Sequence, residues 1–539
     1  VTGVKIHELL AESLAQAGVR DVFMVLGDGN LDFLDALARR GVRLVHARHE
    51  QGAVAMADGY ARAGGGLGVC SVTHGAGLAQ TATSLQNARA YGSPVLLVAG
   101  DLPVADPDRQ QTFDQQEFGR LTAGAAWTLW SARALPAVLG RVGRRLGEGP
   151  VVLNVPTDVQ REELDAAAVS PLAIPPRPEP SAPAPEAVER AIEALGAARR
   201  PVILAGRGAV QAGAGEALGR LADRLGAPLA TTLLAHGLCA EHPRHVGVSG
   251  SLGDGRGTRA VREADCVLAV GSSLSRWTLG GRAPGGGLVQ VDADPARLDG
   301  GLAAVGLLGD ARVAAEHLLA GLGARADGAP GPVAARSRPD AFEDGPGTVD
   351  PRRALLALED ALPAGRRLVV DGGHNAIFAL QLLSVHAPEQ LLFTSNSGAI
   401  GQGLATALGA AMAAPQPRTT LVVGDGGFLM ALAELETAAR YGVPLTIFVV
   451  NDGGYGQELH NMRAKGLDPS HAAAPTPDLA ALARSAGAAG RRIDSPAALA
   501  SLPELLEASE GPLLLDVRVN PDVLNPSSAE IAAMMRAEP

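Results

Sequence analysis

Residues 424–455 read GDGGFLMALAELETAARYGVPLTIFVVNDGGYG. The apolar run Leu421-Val422-Val423 just before them predicts a short buried strand. Gly424-Asp425-Gly426-Gly427 then predicts a tight turn that presents backbone N–H groups to an anion. Leu429, Leu432, Leu435 and Ala439 come close to the i, i+3, i+4 spacing of a helix with one buried face. Val443-Pro444 ends that helix, and Leu445 to Val450 predicts a second buried, β-branched strand. Asn451-Asp452-Gly453-Gly454 closes the unit. This is a strand–helix–strand crossover with a carboxylate at the carboxyl end of each strand, the edge where open α/β sheets bind ligands. A helix N-terminus there favours phosphate. Two oxygen side chains facing it can hold a hard divalent cation, which suits Mg²⁺ bridging to phosphates.

Composition narrows the partners. The chain has 539 residues and a net charge of −11 without a basic run, which argues against nucleic acid. Its three cysteines, Cys70, Cys239 and Cys266, share no metal-like spacing and read as small buried hydrophobes in a reducing compartment. The first residues read as an amphipathic helix and a strand rather than a signal peptide. No apolar segment reaches the ~18–20 residues that span a bilayer, so no membrane partner and a cytoplasmic location are expected.

The remainder alternates helix and strand, which predicts an α/β protein of three doubly wound parallel-sheet domains. Residues 1–168 form the first, 188–322 a central Rossmann-like domain, and 350–539 the third. A Pro-rich stretch at about 170–187 and a Gly/Pro/Ala-rich stretch at about 323–350 read as linkers. In the first domain, strands are expected at Asp21 to Leu26, Arg43 to Ala47, Gly68 to Val72 and Pro94 to Ala99.

Three separated segments resemble the thiamine diphosphate enzymes of the acetolactate synthase and pyruvate decarboxylase type. They are the GDG unit with its closing Asn451-Asp452, the run HEQGAVAMADGYARA from His49, and SNSGAIGQG from Ser395. The resemblance spans essentially the whole chain and implies thiamine diphosphate and Mg²⁺ as cofactors. Laid on that pattern without gaps, Asp425 and Asp452 are the metal ligands, with the Gly454 carbonyl as the third. The family usually has Asn-Asn where this chain has Asn451-Asp452, so Asn451 stands as the alternative ligand. Gly373, His374 and Asn375 are implied to wrap the diphosphate, with Gly424, Gly426, Gly427 and Tyr455 beside them. Ile400, flanked by Ser397 and Ala399, is implied to wedge between the two cofactor rings. Glu50 is implied to bond a ring nitrogen of the aminopyrimidine and favour its imino tautomer, which takes the proton from the thiazolium carbon. The run associated with FAD binding in some members is replaced by Ser272-Ser273-Leu274-Ser275-Arg276-Trp277, so no FAD is expected in the central domain.

Five further residues carry open readings. His74 lies in Thr73-His74-Gly75-Ala76-Gly77, where the family usually has Thr-Ser-Gly-Pro-Gly; it reads equally as a substrate-binding or proton-shuttling group and as a packing histidine. Asp28, in Gly27-Asp28-Gly29-Asn30, resembles a catalytic aspartate of pyruvate decarboxylases and also fits a plain Asx turn. Gln111 falls near the family's active-site glutamine, within a residue of register. Glu458, with His460 behind it, matches a catalytic glutamate position of the decarboxylases or belongs to a solvated helix.

The resemblance implies a homo-oligomer whose active sites lie between the first domain of one subunit and the third domain of another. The leading expectation is a carboligase: a 2-keto acid adds to the cofactor ylid, loses CO₂, and the resulting carbanion-enamine attacks a second carbonyl. A non-ligating 2-keto acid decarboxylase is the first alternative, favoured by the number of acid–base groups. A non-catalytic binding or regulatory protein on the same fold is the alternative of another class.

Overall fold

Short, near-continuous apolar strands separated by amphipathic helices can bury both strand faces only in parallel sheets covered by helices on each side. The computed structural model describes residues 3–528 apart from 65, 107–109, 177–178, 282, 299–302, 324–337 and 526. Residues 324–337, half of the second expected linker, and the residues after 528 therefore lie outside the described part. Three six-stranded sheets hold the described strands apart from the short antiparallel pair Val4–Lys5 and Glu163–Leu164, and every pairing within the three is parallel.

The first sheet contains β1 (Asp21–Met24), β2 (Arg43–His46), β3 (Gly68–Val72), β4 (Val95–Asp101), β5 (Ala126–Thr128) and β6 (Val151–Pro156), in the order β2-β1-β3-β4-β6-β5. Helix α1 (Glu50–Gly64) follows β2. The central sheet has β7 (Pro201–Ala205), β8 (Leu229–Thr231), β9 (His245–Val248), β10 (Cys266–Val270), β11 (Gly287–Asp292) and β12 (Val305–Leu308). Its order, β9-β8-β7-β10-β11-β12, is that of the dinucleotide-binding folds. The third sheet has β13 (Arg367–Val370), β14 (Leu391–Phe393), β15 (Thr419–Gly424), β16 (Leu445–Asn451), β17 (Ala489–Ile493) and β18 (Leu513–Arg518). Its order, β14-β13-β15-β16-β18-β17, repeats that of the first sheet. Five helices of this part bear on the site: α2 (His374–Leu382), α3 (Gly403–Ala413), α4 (Asp425–Met430), α5 (Ala433–Arg440) and α6 (Gly456–Lys465).

The first and third domains of one chain share a core. Phe23, Val54 and Met56 pack in the same buried cluster as Leu404, Leu408 and Phe428. The contact is so close because α1 and α3 meet backbone to backbone: a Cβ on Gly59 would stand 2.0 Å from the Thr406 carbonyl oxygen. Among the described residues, no helix is long and apolar enough to cross a membrane.

The central unit departs from expectation in one respect. The single helix expected after Gly427 is two helices, α4 and α5, and Gly426 and Gly427 lie inside α4 rather than in a preceding turn. The helix starts directly at Asp425, whose backbone continues from β15 without a loop. Two glycines in a first turn weaken its propagation, and the break after Met430 turns Glu434 and Leu435 inward, where both are buried.

Candidate active site

The site in the third domain is fixed by strand register. Gly424 at the end of β15 pairs with Val450 on its neighbour β16, so the residues that follow emerge side by side. Asp425 is only 1% exposed, and its Oδ2 has no hydrogen-bond partner. The Asp425 and Asp452 carboxylates face each other closely enough to interact directly. Burial raises the pKa of both, and the charge on Asp425 raises Asp452 further. Two carboxylates so placed cannot both ionise unless a cation lies between or beside them. Among the described residues no group of three or more His, Cys, Asp or Glu side chains is arranged as a metal site. A cation on this pair would therefore complete its shell with backbone and ligand oxygens, which is how Mg²⁺ is commonly held.

Beside the pair opens a cavity of about 270 Å³, lined by Asp425, Gly426, Met430, Gly454, Tyr455 and Thr476 among others. Tyr455 is partly exposed and its ring covers Gly426, where a Cβ would lie 2.9 Å from the ring edge. Gly454 is held by a bridge to Ala473.

Asn451, the alternative metal ligand, is committed elsewhere. Its Oδ1 accepts from the Gly453 N–H (3.2 Å), the Thr476 hydroxyl (3.1 Å) and Arg518 (2.9 Å), and its Nδ2 donates to Asp516 (2.7 Å). The strand-end geometry turns Asn451 into the sheet and leaves Asp452 facing Asp425.

His374 opens α2 after Gly373, which has a φ of 110° that favours glycine. The His374 Nε2 accepts the Asn525 N–H at 3.3 Å, so in the neutral ring the proton sits on Nδ1, 4.0 Å from Asp452 Oδ2. Burial, with His460 beside it, pushes His374 down to about 3. The two imidazoles lie 4.6 Å apart between ring centroids, and the His460 Nε2 is buried without a partner. Burial and then Arg463 lower the pKa of His460 as well. Asn375 donates to the Asp371 carbonyl at 3.2 Å. Glu458, by contrast, points to solvent and contacts Asn461 at 3.3 Å.

Sequence reading missed Asp371. This fully buried carboxylate accepts from the Thr394 hydroxyl (2.7 Å) and the Gly401 N–H (2.8 Å), which ties the end of β13 to the loop that carries Ile400. Burial raises its pKa. Its place in Asp371-Gly372-Gly373, at the carboxyl end of a strand, was the available signal. In the same loop Ile400 and Ala399 are half-buried and Ser397 is exposed, and a Cβ on Gly372 would stand 3.1 Å from the Ile400 side chain.

A second cluster sits at the matching edge of the first sheet. Asp28 lies in a short 3-10 turn after β1, with its side chain 81% exposed. Its Oδ1 accepts from the Thr73 hydroxyl at 3.3 Å and stands 4.0 Å from Nδ1 of the buried His74. Glu50, the first residue of α1, is half-buried; a Cβ on Gly77 would lie 3.6 Å from its Oε1 and 2.9 Å from Thr73. Glu50, Thr73, His74 and Asp28 thus form one contiguous group. Gln111 is exposed with a φ of 79°, and its backbone presses on Gly75. The glutamine that builds the loop is Gln115, unnoticed in the sequence. It is buried, accepts from the Gly75 N–H (2.7 Å) and donates to the Gly100 carbonyl (2.9 Å). No first-domain residue lines the cavity beside Asp425. The Glu50 group and the cavity beside Asp425 are thus two half-sites lined by different residues.

Twin sheets with a half-site at the carboxyl edge of each define an α/β enzyme built around a phosphate-bearing cofactor. The chain belongs to the thiamine pyrophosphate enzymes. The family's N-terminal TPP binding domain matches residues 4–118, its central domain 188–318 and its C-terminal TPP binding domain 371–517. The chain is 35% identical to "Probable 2-ketoarginine decarboxylase AruI" of Pseudomonas aeruginosa, over 90% of this chain and 89% of the relative. It is 29% identical to "Probable acetolactate synthase large subunit" of Methanocaldococcus jannaschii, over 95% of this chain and 92% of the relative. An X-ray structure of a candidate thiamin diphosphate-dependent enzyme from Mycobacterium smegmatis shares the fold, with a TM-score of 0.81 at 24% identity. That match covers 96% of this chain and all of the other.

Proposed function

We propose that the protein decarboxylates a 2-keto acid with thiamine diphosphate and Mg²⁺, in active sites shared between two copies of the chain. The facing carboxylates of Asp425 and Asp452 carry this reading, because a buried pair of this kind needs a divalent cation to ionise fully. Asp425, Asp452 and the Gly454 carbonyl would hold the cation, and Gly373, His374 and Asn375 would bind the diphosphate. When bound, the cofactor supplies the electron sink that lets a 2-keto acid lose CO₂.

The chain's own groups do the proton work. Glu50 would hold a proton at the cofactor's pyrimidine, and it is supplied by a second copy in this reading, in keeping with its absence from the lining of the cavity beside Asp425. His74, with Asp28 4.0 Å from its Nδ1, would donate the proton that replaces the lost carboxylate. Burial of the His374 and His460 rings keeps them neutral and leaves them as hydrogen-bonding walls rather than charges.

Transfer to a second carbonyl is the second reading, favoured by the likeness to an acetolactate synthase large subunit along 95% of the chain. The test follows pyruvate and 2-ketoarginine by proton NMR with thiamine diphosphate and Mg²⁺. Release of the aldehyde alone supports the decarboxylase; a ligated product from either substrate replaces it with the carboligase.

A further inference from the structure

The start of α1 is held by another domain. Helices leave their first N–H groups without partners, and a side chain near the N-terminus normally satisfies them. Here His49, just before Glu50, uses its ring Nδ1 to accept from the Gln51 N–H at 3.1 Å. The two N–H groups immediately before Glu50 are taken by Glu434 of α5. The Arg48 N–H donates to both carboxylate oxygens (3.1 and 3.3 Å), and the His49 N–H donates to Oε1 (3.1 Å). The Thr437 hydroxyl donates to the other oxygen at 2.8 Å and orients the carboxylate from its own helix.

Glu434 is 2% exposed, so the carboxylate sits out of water and the three N–H contacts and one hydroxyl contact are what satisfy it. The room for it is built into the partner helix. A Cβ on Gly52 would stand 2.2 Å from Oε1, so only glycine admits the carboxylate at that depth. The rest of α5 reinforces the grip: Arg48 pairs with Glu436 at 2.6 Å, Arg440 donates to the His46 carbonyl at 2.7 Å, and the Tyr441 hydroxyl accepts the His46 N–H at 3.0 Å.

We propose that Glu434 is a positioning residue for Glu50, fixing the first turn of α1 from the third domain of the same chain. The inference rests on the reading of Glu50 given above. It has a consequence for the assembly. The α4–α5 segment that carries Asp425 at one site also orients the Glu50 that serves the neighbouring site.

The test compares Glu434→Ala and Glu434→Gln with Glu50→Gln in the full-length holoenzyme. Three readouts are taken: amide hydrogen exchange over residues 44–52, exchange of the cofactor's thiazolium proton with D₂O, and cofactor binding by calorimetry. Glu434→Ala is expected to speed amide exchange at Arg48 and His49 and to slow thiazolium exchange and kcat together by about 10–100-fold, the scale of a misaligned proton-transfer group. Cofactor affinity should stay within about threefold, because the diphosphate and metal groups are untouched. Glu434→Gln keeps one acceptor and should fall between Ala and the native residue; it also serves if the Ala variant does not fold. Native thiazolium exchange in Glu434→Gln or Glu434→Ala, with the 48–49 amides opened, overturns the proposal. Native exchange in Glu50→Gln overturns instead the role assigned to Glu50.

Discussion

The carboxylates of Asp425 and Asp452 face each other because two adjacent parallel strands end in step, Gly424 beside Val450. Replacing Asp452 by Asn keeps an oxygen ligand but removes one of the two facing charges. Mg²⁺ affinity should fall roughly tenfold, about 1.4 kcal/mol, while the metal-free protein should melt at a higher temperature. Calorimetric titration and thermal melts with and without metal measure the two effects in one variant.

The same pair sets a pH dependence. Burial raises both folded-state pKa values above the ordinary aspartate range, so the folded, metal-free protein binds more protons here than the unfolded chain. Stability from this pair is present at low pH and is lost as pH rises through the raised folded values. Relative to Asp452→Asn, which lacks the coupled pair, the metal-free native protein should therefore lose melting temperature from pH 5 to pH 8, and Mg²⁺ should remove most of that difference. The comparison largely cancels His374 and His460, whose lowered pKa values act in the opposite direction. A melting temperature that rises over this range relative to Asp452→Asn would contradict the assignment.

Glu50→Gln should reduce turnover by at least about 100-fold, the usual scale for a general acid–base group, and leave cofactor affinity nearly unchanged. Steady-state rates and calorimetry on the same preparation separate the two effects.

His74→Asn and Asp28→Asn should act on proton delivery. Aldehyde release should drop by about 100-fold for His74→Asn and by less for the exposed Asp28. If a second carbonyl compound is supplied, the fraction of ligated product should rise, which proton NMR of the product mixture reads directly.

Gly59→Ala tests the contact between α1 and α3. A methyl group 2.0 Å from the Thr406 carbonyl oxygen must push two helices apart, which should destabilise the chain by about 1–3 kcal/mol. Urea unfolding measures this. An unchanged midpoint would mean that the two domains do not pack this way.

Much of the architecture was legible because it follows from local pattern. β3 lies at the residues the sequence reading assigns, Gly68–Val72, and β1, β2 and β4 lie within two residues of theirs. Each is an apolar run bounded by turn residues, and such a run needs no distant partner to be recognised. Glu50 stood out through the HEQGAVAMADGYARA run and Asp425 through the GDG unit with its closing Asn451-Asp452, the segments that carry the family resemblance. The break between α4 and α5 was not legible, because the apolar spacing runs on through it.

Tertiary structure alone gives different surroundings to Asn451 and Asp452, which are adjacent in sequence and equally able to offer oxygen to a metal. Arg518, Thr476 and Asp516 engage Asn451, and they come from distant segments that no local pattern brings together. Asp371, Gln115 and Glu434 were hidden in the same way. Each is a common polar residue whose importance comes from burial against backbone N–H or hydroxyl groups far along the chain. Local sequence determines which segments are strands and helices because hydrophobic period and backbone propensity act over a few residues. Which polar groups end up out of water, and must then find partners, depends on how those segments pack, and only the folded chain fixes that.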